Sequence, residues 1–443
     1  MAIHLPDNPA RTDVLAARPT LWTNPHYTEN AIADATLPVR PSDVDEAQEN
    51  WRHLAPLLEA CFPELQATNG EIRSDLVPLE AMRKALGYDG AEFGTLLVKA
   101  DNALPVAGSI KARGGVYEVF LFAERLARRE GLLKAGEDIR RLAGSDAKAF
   151  FSRYTIAVGS TGNLGLSVGV AARALGFRAT VHMSADAKAW KVERLTRLGV
   201  AVVRHDADYT TAVENARIAA ESDPTIYFVD DEQSRQLFLG YSVAALELAG
   251  QLRARGIVVD AGHPLFLYLP CGIGGAPGGV AYGAKAVFGD DVHCFFVEPV
   301  QSPCALVHLM SGSADLVSVY DVGLTNRTEA DGMAVARMSA FVATVMRRML
   351  AGVFTVDDPS LFRWLLSAHQ SQNLRLEPSA AAGFAGPDFL VKHPAGKEFC
   401  AHRQIGDRLA QATHVIWTTG GAFVPEDQFQ AFLRTASEIG GTN

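Results

Sequence analysis

Gly108-Ser109-Ile110-Lys111-Ala112-Arg113-Gly114-Gly115 sets a single lysine among glycines and one small hydroxyl, shortly after the extended-looking run Thr95-Leu96-Leu97-Val98-Lys99. Glycines on both sides leave little side-chain bulk around the ammonium, so another large group can come close to it. Such a lysine suits imine formation with an aldehyde cofactor, for which it must first shed its proton. On these eight residues alone, a solvated lysine in a turn is the more ordinary reading. The rest of the chain has to decide.

That chain has 443 residues, 48% of them hydrophobic, and a formal net charge of -9. It is long enough for two or three domains with a sizeable core. Its excess negative charge argues against a nucleic-acid binder or a polybasic membrane-surface protein, so any anion it holds must be bound locally. The opening Met1-Ala2-Ile3-His4-Leu5-Pro6-Asp7 lacks a basic region followed by an apolar core. No uninterrupted apolar run approaches a membrane span, and the expected compartment is the cytoplasm. Cys61, Cys271, Cys294, Cys304 and Cys400 are odd in number and form no C-x-x-C pair. Reduced thiols are therefore expected rather than a disulfide framework or a zinc cluster.

Pro6, Pro9, Pro19, Pro25 and Pro38 mark an irregular arm, and Ser42-Asp43-Val44-Asp45 reads as a capping box opening a helix with Val44, Trp51, Leu54, Leu58 and Cys61 on one face. A short helix over Leu79 to Leu86 follows. Beyond the lysine the pattern alternates: helix Val116 to Arg129, strand Thr155 to Val158, helix Asn163 to Leu175, strand Ala179 to Met183, helix Ala189 to Leu198. Strand Ala201 to Val203, helix Thr211 to Ala220 and strand Ile226 to Val229 continue it. Then come one long helix from Leu237 to Arg255 and strands Leu265 to Leu269, Val292 to Val297 and His414 to Trp417. Short β-rich runs separated by helical patterns predict parallel β-α-β units. The expected fold class is α/β, in two lobes of twisted, mostly parallel sheets covered by helices. We expect an N-terminal arm and helix over residues 1–75 packed on a large domain of 76–118 and 237–443, with a small domain of 119–236.

Ligands of such sheets sit outside the carboxyl ends of strands, and each loop of interest follows a strand. Gly159-Ser160-Thr161-Gly162-Asn163 offers hydroxyls, an amide and free N–H groups where a helix opens, although Asn163 taken alone reads better as the N-cap of that helix. Gly165-Leu166-Ser167-Val168-Gly169 matches the hydrolase pattern G-x-S-x-G, but the nucleophile elbow needs its serine on the strand-to-helix turn. That turn is already used by Gly159 to Gly162, which leaves Ser167 inside the helix. Cys271-Gly272-Ile273-Gly274-Gly275-Ala276-Pro277-Gly278-Gly279 can point successive N–H groups at a phosphate, or can be a tight turn only. Pro277 breaks the dinucleotide fingerprint and the Walker lysine is missing. Thr418-Thr419-Gly420-Gly421 brings hydroxyls to a strand end, where they could meet a heteroaromatic nitrogen or only finish the strand. Glu298 ends another strand and offers a carboxylate for a cation or a salt bridge, and Asp230-Asp231-Glu232 put three acids at the end of a third.

Taken together, the lysine in Ser109 to Gly114, the asparagine in Ser160 to Asn163, the glycine loop and Thr419-Gly420-Gly421 resemble, in content and order, the pyridoxal-phosphate enzymes of the tryptophan-synthase β fold. The stretches Ala157 to Leu166, His182-Met183-Ser184-Ala185-Asp186, Phe238-Leu239-Gly240-Tyr241-Ser242, Leu269-Pro270-Cys271-Gly272, Asp331-Gly332-Met333-Ala334-Val335 and Leu376-Glu377-Pro378-Ser379 are similar to its bacterial D-serine dehydratase branch. The resemblance runs from about Leu96 to Pro425. Ile273 and Ala276 depart from the glycines or other small residues that related enzymes often carry, which bears on the number of phosphate donors.

The resemblance implies pyridoxal phosphate in the cleft between the lobes and β-elimination of D-serine to pyruvate and ammonia. Lys111 would carry the cofactor and then act as the base at the α-carbon. Gly272, Ile273, Gly274, Gly275 and Ala276 would hold the phosphate, Asn163 the ring hydroxyl, and Thr419 would face the pyridine nitrogen. A neutral hydroxyl there cannot keep the ring protonated as an aspartate would, which favours loss of the β-hydroxyl over transamination. Ser160, Thr161 and Gly162 would grip the substrate carboxylate, with Thr161 and Asp231 catalytic beside Lys111 and Asp231 positioning the substrate hydroxyl or amine. Glu298 and Ser302 would contribute to a monovalent-cation site for K+ or Na+. The partner is a small amino acid, with no nucleic acid and no membrane, and the chain is expected as a monomer or weak dimer. Dehydratases of L-serine or L-threonine and β-replacement enzymes of the same fold share nearly every motif. A nucleotide-dependent dehydrogenase would need the fingerprint that Pro277 breaks, and a non-catalytic binding module is disfavoured by Lys111.

Overall fold

In the computed structural model, residues 5–160, 162–184, 187–205 and 209–440 are described. Eleven strands occur among them: β1 (Leu21–Thr23), β2 (Leu76–Pro78), β3 (Thr95–Ala100), β4 (Thr155–Gly159), β5 (Arg178–Ser184), β6 (Ala201–His205), β7 (Ile226–Val229), β8 (Leu265–Pro270), β9 (Val292–Pro299), β10 (Gly352–Val356) and β11 (Thr413–Thr418). They form two sheets, one in each of two units of the chain. The first unit comprises the segment ending at Pro41, Ser74–Ala103 and the chain from Ser242 onward; the second comprises Ser42–Arg73 and Leu104–Tyr241. No described helix is long and apolar enough to cross a membrane.

The first unit holds a seven-stranded sheet in the order β1-β10-β9-β8-β11-β3-β2. Its five inner strands are parallel, and β1 and β2 add antiparallel at the two edges. Strands β8, β9 and β11 are buried at every position. That is why they read as unbroken apolar runs rather than alternating ones: a parallel sheet covered on both faces has no wet side. Ionisable side chains are buried in this core too. Lys99 on β3 is fully buried, and its Nζ donates to the Ser74 carbonyl (2.8 Å), the Ser74 Oγ (2.6 Å) and Glu247 Oε1 (2.5 Å). An ammonium has three protons and all three are used, which is the condition under which a buried cation is tolerated. The Ser74 hydroxyl in turn donates to Asp101, whose second oxygen accepts from the Trp417 indole at 2.8 Å.

Helix 237–255 of the sequence pattern is two helices, Arg235–Ser242 and Ala244–Ala254. The break falls where the helix Gly275–Phe288 presses on the chain: a Cβ on Gly283 would lie 2.0 Å from the Ser242 carbonyl oxygen. The capping box at Ser42 is also not where a helix begins. The helix runs Pro41–Cys61, with the proline at its first position, where its missing N–H costs nothing.

The second unit holds the parallel sheet β6-β5-β4-β7. Between β4 and β5 runs the helix Asn163–Leu175, closed by Gly176 at φ +93. The unit's bounds depart from the sequence expectation, because the first long helix and the lysine turn both fall within it. Trp51 of that helix stacks near Tyr117 with ring centroids 5.2 Å apart, Phe62 near Phe120 at 5.9 Å, and Asp43 pairs with Arg235 at 2.6 Å. Trp51 was legible as part of a helix face; which unit that face meets is not written in its spacing.

The helix Tyr117–Arg129 carries Glu118, which is 2% exposed, accepts from Tyr227 Oη at 2.8 Å and is bonded by the Ser234 hydroxyl. Burial is the main cause that pushes its carboxyl up to about 7, against the opposing pull of those two hydroxyls. A carboxyl raised on folding favours the native state below its unfolded value near 4.5 and loses that contribution as pH rises through about 7. In urea titrations the protein is expected to lose about 2.5 kcal/mol of this contribution between pH 5 and pH 8, and Glu118→Gln to flatten that slope. An unchanged slope in the variant would show that Glu118 does not titrate with folding.

Candidate functional site

The lysine turn is held in an unusual backbone path. Ala107 N–H bonds to the Pro105 carbonyl at 2.9 Å across Val106, which sits at φ +73. A γ-turn with positive φ is rare, and for a β-branched residue it costs about 1–3 kcal/mol, so the surroundings must impose it. Gly108 follows at φ +64. Immediately after Lys111, Ala112–Val116 form a single π-type turn, a distortion that recurs at functional sites. The Lys111 carbonyl accepts from Gly115 N–H (2.9 Å) and from the Ser167 hydroxyl (2.8 Å). Ser167 lies inside its helix, as the sequence required, and its task is to hold the lysine turn from behind. Gly115 makes this possible, since a Cβ there would lie 2.5 Å from Ser167 Oγ.

The Lys111 ammonium lies 3.8 Å from Asp231 Oδ2 and 5.6 Å from the centroid of the Tyr241 ring. The three acids after β7 are not a solvated cluster. Arg217 takes Asp230 at 2.9 Å and Glu232 at 2.9 Å, which leaves Asp231 directed at the lysine. Burial raises the Asp231 carboxyl above its ordinary value; the Lys111 charge opposes this and Asp230 adds to it. Among the described residues, Asp231 Oδ1, Tyr241 Oη and Ser109 Oγ are buried with no hydrogen-bond partner. Tyr241 was not foreseen as a site residue, because an unpaired buried hydroxyl is a property of packing rather than of spacing. Ser160, at the end of β4, accepts from Gly162 N–H at 3.1 Å, and Asn163 is the first residue of the next helix. Thr161 lies outside the described residues.

In the first unit, the loop after β8 leads into the helix Gly275–Phe288 with Gly274 at φ +108 as its cap and no side-chain cap. The first N–H groups of a helix have no intrahelical acceptor, and the capping Gly274 has no side chain with which to take them. Gly272 is closely packed: a Cβ would lie 3.0 Å from the Gly332 carbonyl oxygen. Its own carbonyl receives the Cys271 and Cys304 thiols, each at 3.3 Å. The Ile273 carbonyl accepts from Ser339 N–H at 2.8 Å, so the loop's carbonyls are engaged by the protein. That pattern, N–H groups open and carbonyls tied down, is what an anion cradle requires.

Thr418 and Thr419 at the end of β11 part company. Thr418 is fully buried, with its hydroxyl shared between the Lys99 carbonyl (3.0 Å) and Asn102 Oδ1 (2.8 Å), while Thr419 is partly exposed. Glu298 on β9 is fully buried and accepts from the N–H groups of Ala305 (2.8 Å) and Leu306 (2.9 Å), the opening of the helix Cys304–Ser311. Burial pushes its carboxyl up to about 8 despite these bonds. Ser302 is buried beside it in sequence, its hydroxyl 2.6 Å from Asn326 Oδ1 and accepting from Val335 N–H at 3.0 Å. No group of three His, Cys, Asp or Glu residues suited to a metal ion occurs among the described residues.

Comparison with known proteins places these features. The family model described as "Pyridoxal-phosphate dependent enzyme" matches residues 67–398. A "Probable D-serine dehydratase" of Sinorhizobium medicae (strain WSM419) is 74% identical over 436 residues, 98% of this chain and 99% of that protein. One of Rhizobium etli (strain CIAT 652), of the same description, is 69% identical over 435 residues, 98% and 97%. Among solved structures, diaminopropionate ammonia lyase from Escherichia coli shares the fold with a TM-score of 0.68 at 18% identity, covering 98% of each chain. With a lysine turn in one unit, a glycine anion cradle in the other and relatives along the whole length, this chain belongs to the pyridoxal-phosphate-dependent enzyme family.

Proposed function

We propose that this chain is a D-serine dehydratase, releasing pyruvate and ammonia from D-serine. The observation that carries the reading is Lys111: an amine on a strained, glycine-flanked turn, 3.8 Å from a buried carboxylate that keeps one oxygen unpartnered. The extent and identity of the rhizobial relatives support the substrate.

The residues present fit pyridoxal phosphate on two counts, an N–H cradle with no side-chain cap and unpartnered buried polar atoms beside the lysine. When bound, the cofactor supplies an electron sink for the α-carbon. Lys111 holds its aldehyde and then takes the substrate's α-proton. Backbone N–H groups of Gly272, Ile273, Gly274, Gly275 and Ala276 hold its phosphate, with the helix dipole adding to the attraction. Asn163 reaches the ring hydroxyl, and Thr419 offers a neutral hydroxyl to the ring nitrogen while Thr418 pins the strand end. Ser160, Thr161 and Gly162 take the substrate carboxylate. Asp231, whose flanking acids Asp230 and Glu232 are both bonded by Arg217, accepts from the substrate's hydroxyl or ammonium. A K+ or Na+ ion near Glu298 and the Ser302 carbonyl completes the proposal, and the chain acts as a monomer or weak dimer.

The purified protein is expected to release pyruvate from D-serine faster than from L-serine in a coupled lactate dehydrogenase assay; preference for the L-enantiomer would assign it to another dehydratase. Lys111→Ala is expected to retain the cofactor on ultrafiltration, more weakly than the parent, while turnover falls by about 10²–10⁴-fold, the usual effect of losing a positioned base. Near-parent turnover would transfer the base role elsewhere. Exchanging K+ and Na+ for tetramethylammonium at constant ionic strength is expected to lower kcat, and equal rates in all three salts would remove the cation from the scheme.

A further inference from the structure

Two buried polar atoms on side chains near Lys111 lack hydrogen-bond partners, and they are chemically complementary. Asp231 Oδ1 is an acceptor and Tyr241 Oη is a donor, and neither is bonded to the other or to anything else among the described residues. Leaving both unsatisfied costs free energy that a purely structural pair would recover by bonding. Tyr241 is brought to this place by two glycines. A Cβ on Gly114, in the turn after Lys111, would lie 2.4 Å from the phenol Cζ and 2.7 Å from its oxygen. A Cβ on Gly240 would lie 2.5 Å from the Arg113 carbonyl oxygen. The ring is thus packed into the lysine turn itself, with the Lys111 ammonium 5.6 Å from its centroid. Burial, with Asp231 and Glu118 nearby, holds the phenol well above its ordinary pKa, so it carries its proton at any working pH.

Resting on the dehydratase reading above, we propose that Tyr241 is the acid that protonates the departing β-hydroxyl of the substrate. That hydroxyl, lying between the two orphaned atoms, donates to Asp231 Oδ1 and accepts from Tyr241 Oη, and so satisfies both. Lys111 takes the α-proton; the Cβ–O bond then breaks with its electron pair passing to oxygen. The phenol proton joins that oxygen, which leaves as water. The proton held on the Lys111 ammonium returns to the phenolate, so the enzyme ends with the protons it began with. Hydroxide is a poor leaving group, and an acid at this point is worth about 10²–10⁴-fold.

The test replaces the leaving group. Chloride departs without a proton, so β-chloro-D-alanine needs the base but not the acid. In Tyr241→Phe, pyruvate release from D-serine is expected to fall by about 10²-fold or more, while release from β-chloro-D-alanine stays within about threefold of the parent. The variant is also expected to bind pyridoxal phosphate with an unchanged visible spectrum and to melt no lower than the parent, because the lost hydroxyl had no partner. An equal fall on both substrates, a lowered melting temperature, or undiminished D-serine turnover would each overturn the role of Tyr241. Failure of the parent to act on D-serine would overturn the dehydratase reading beneath it, an outcome read from the parent alone.

Discussion

A turn can present a lysine only if its own backbone is held rigid, and here the hold is a hydrogen bond from the Ser167 hydroxyl to the Lys111 carbonyl. Everything around it follows from making that bond possible. Gly115 clears the space for Ser167, and Gly114 clears the space for Tyr241 on another side. The helix Asn163–Leu175 must approach closely, and its Gly165 and Gly169 leave room for Val181 and Val200. The cost appears upstream as Val106 at φ +73. Strain of this kind persists only where close packing gives the backbone no alternative.

Charged and ionisable side chains in both units are tied by several hydrogen bonds. Lys99 fills three. Arg217 bonds both acids that flank Asp231. Glu298 spends its oxygens on the opening of a helix. Asp231 Oδ1 and Tyr241 Oη, together with Ser109 Oγ, are the buried polar atoms near the lysine that have no hydrogen-bond partner among the described residues.

Much of the frame was legible in the sequence. The helix Asn163–Leu175 and the strand Ile226–Val229 have the bounds that their patterns indicated, and β4, β5, β8, β9 and β11 extend theirs by a residue or two at an end, because β-rich runs between helical periods leave little choice. Strands β1 and β2, of three residues each, are too short to show a period. Strand β10, Gly352-Val353-Phe354-Thr355-Val356, is a short apolar run of five buried residues, which periodicity alone does not separate from a buried helical segment. The break at Val243 is set by Gly283, forty residues away. The motif residues were readable because each is bound to a local turn, whereas Tyr241, Arg217 and Asn102 gain their importance from neighbours distant in sequence.

The seven-stranded sheet ends on both sides in antiparallel strands of only three residues, β1 against β10 and β2 against β3. A parallel sheet has exposed rims on which another chain can continue the ladder. Here each rim is closed by a piece too short to template a further strand, and β2 finishes on Pro78, which has no N–H to offer. Until Leu21–Thr23 and Leu76–Pro78 dock, β10 and β3 are open edges of a nascent sheet. The docking of six residues therefore stands between this chain and aggregation while it folds.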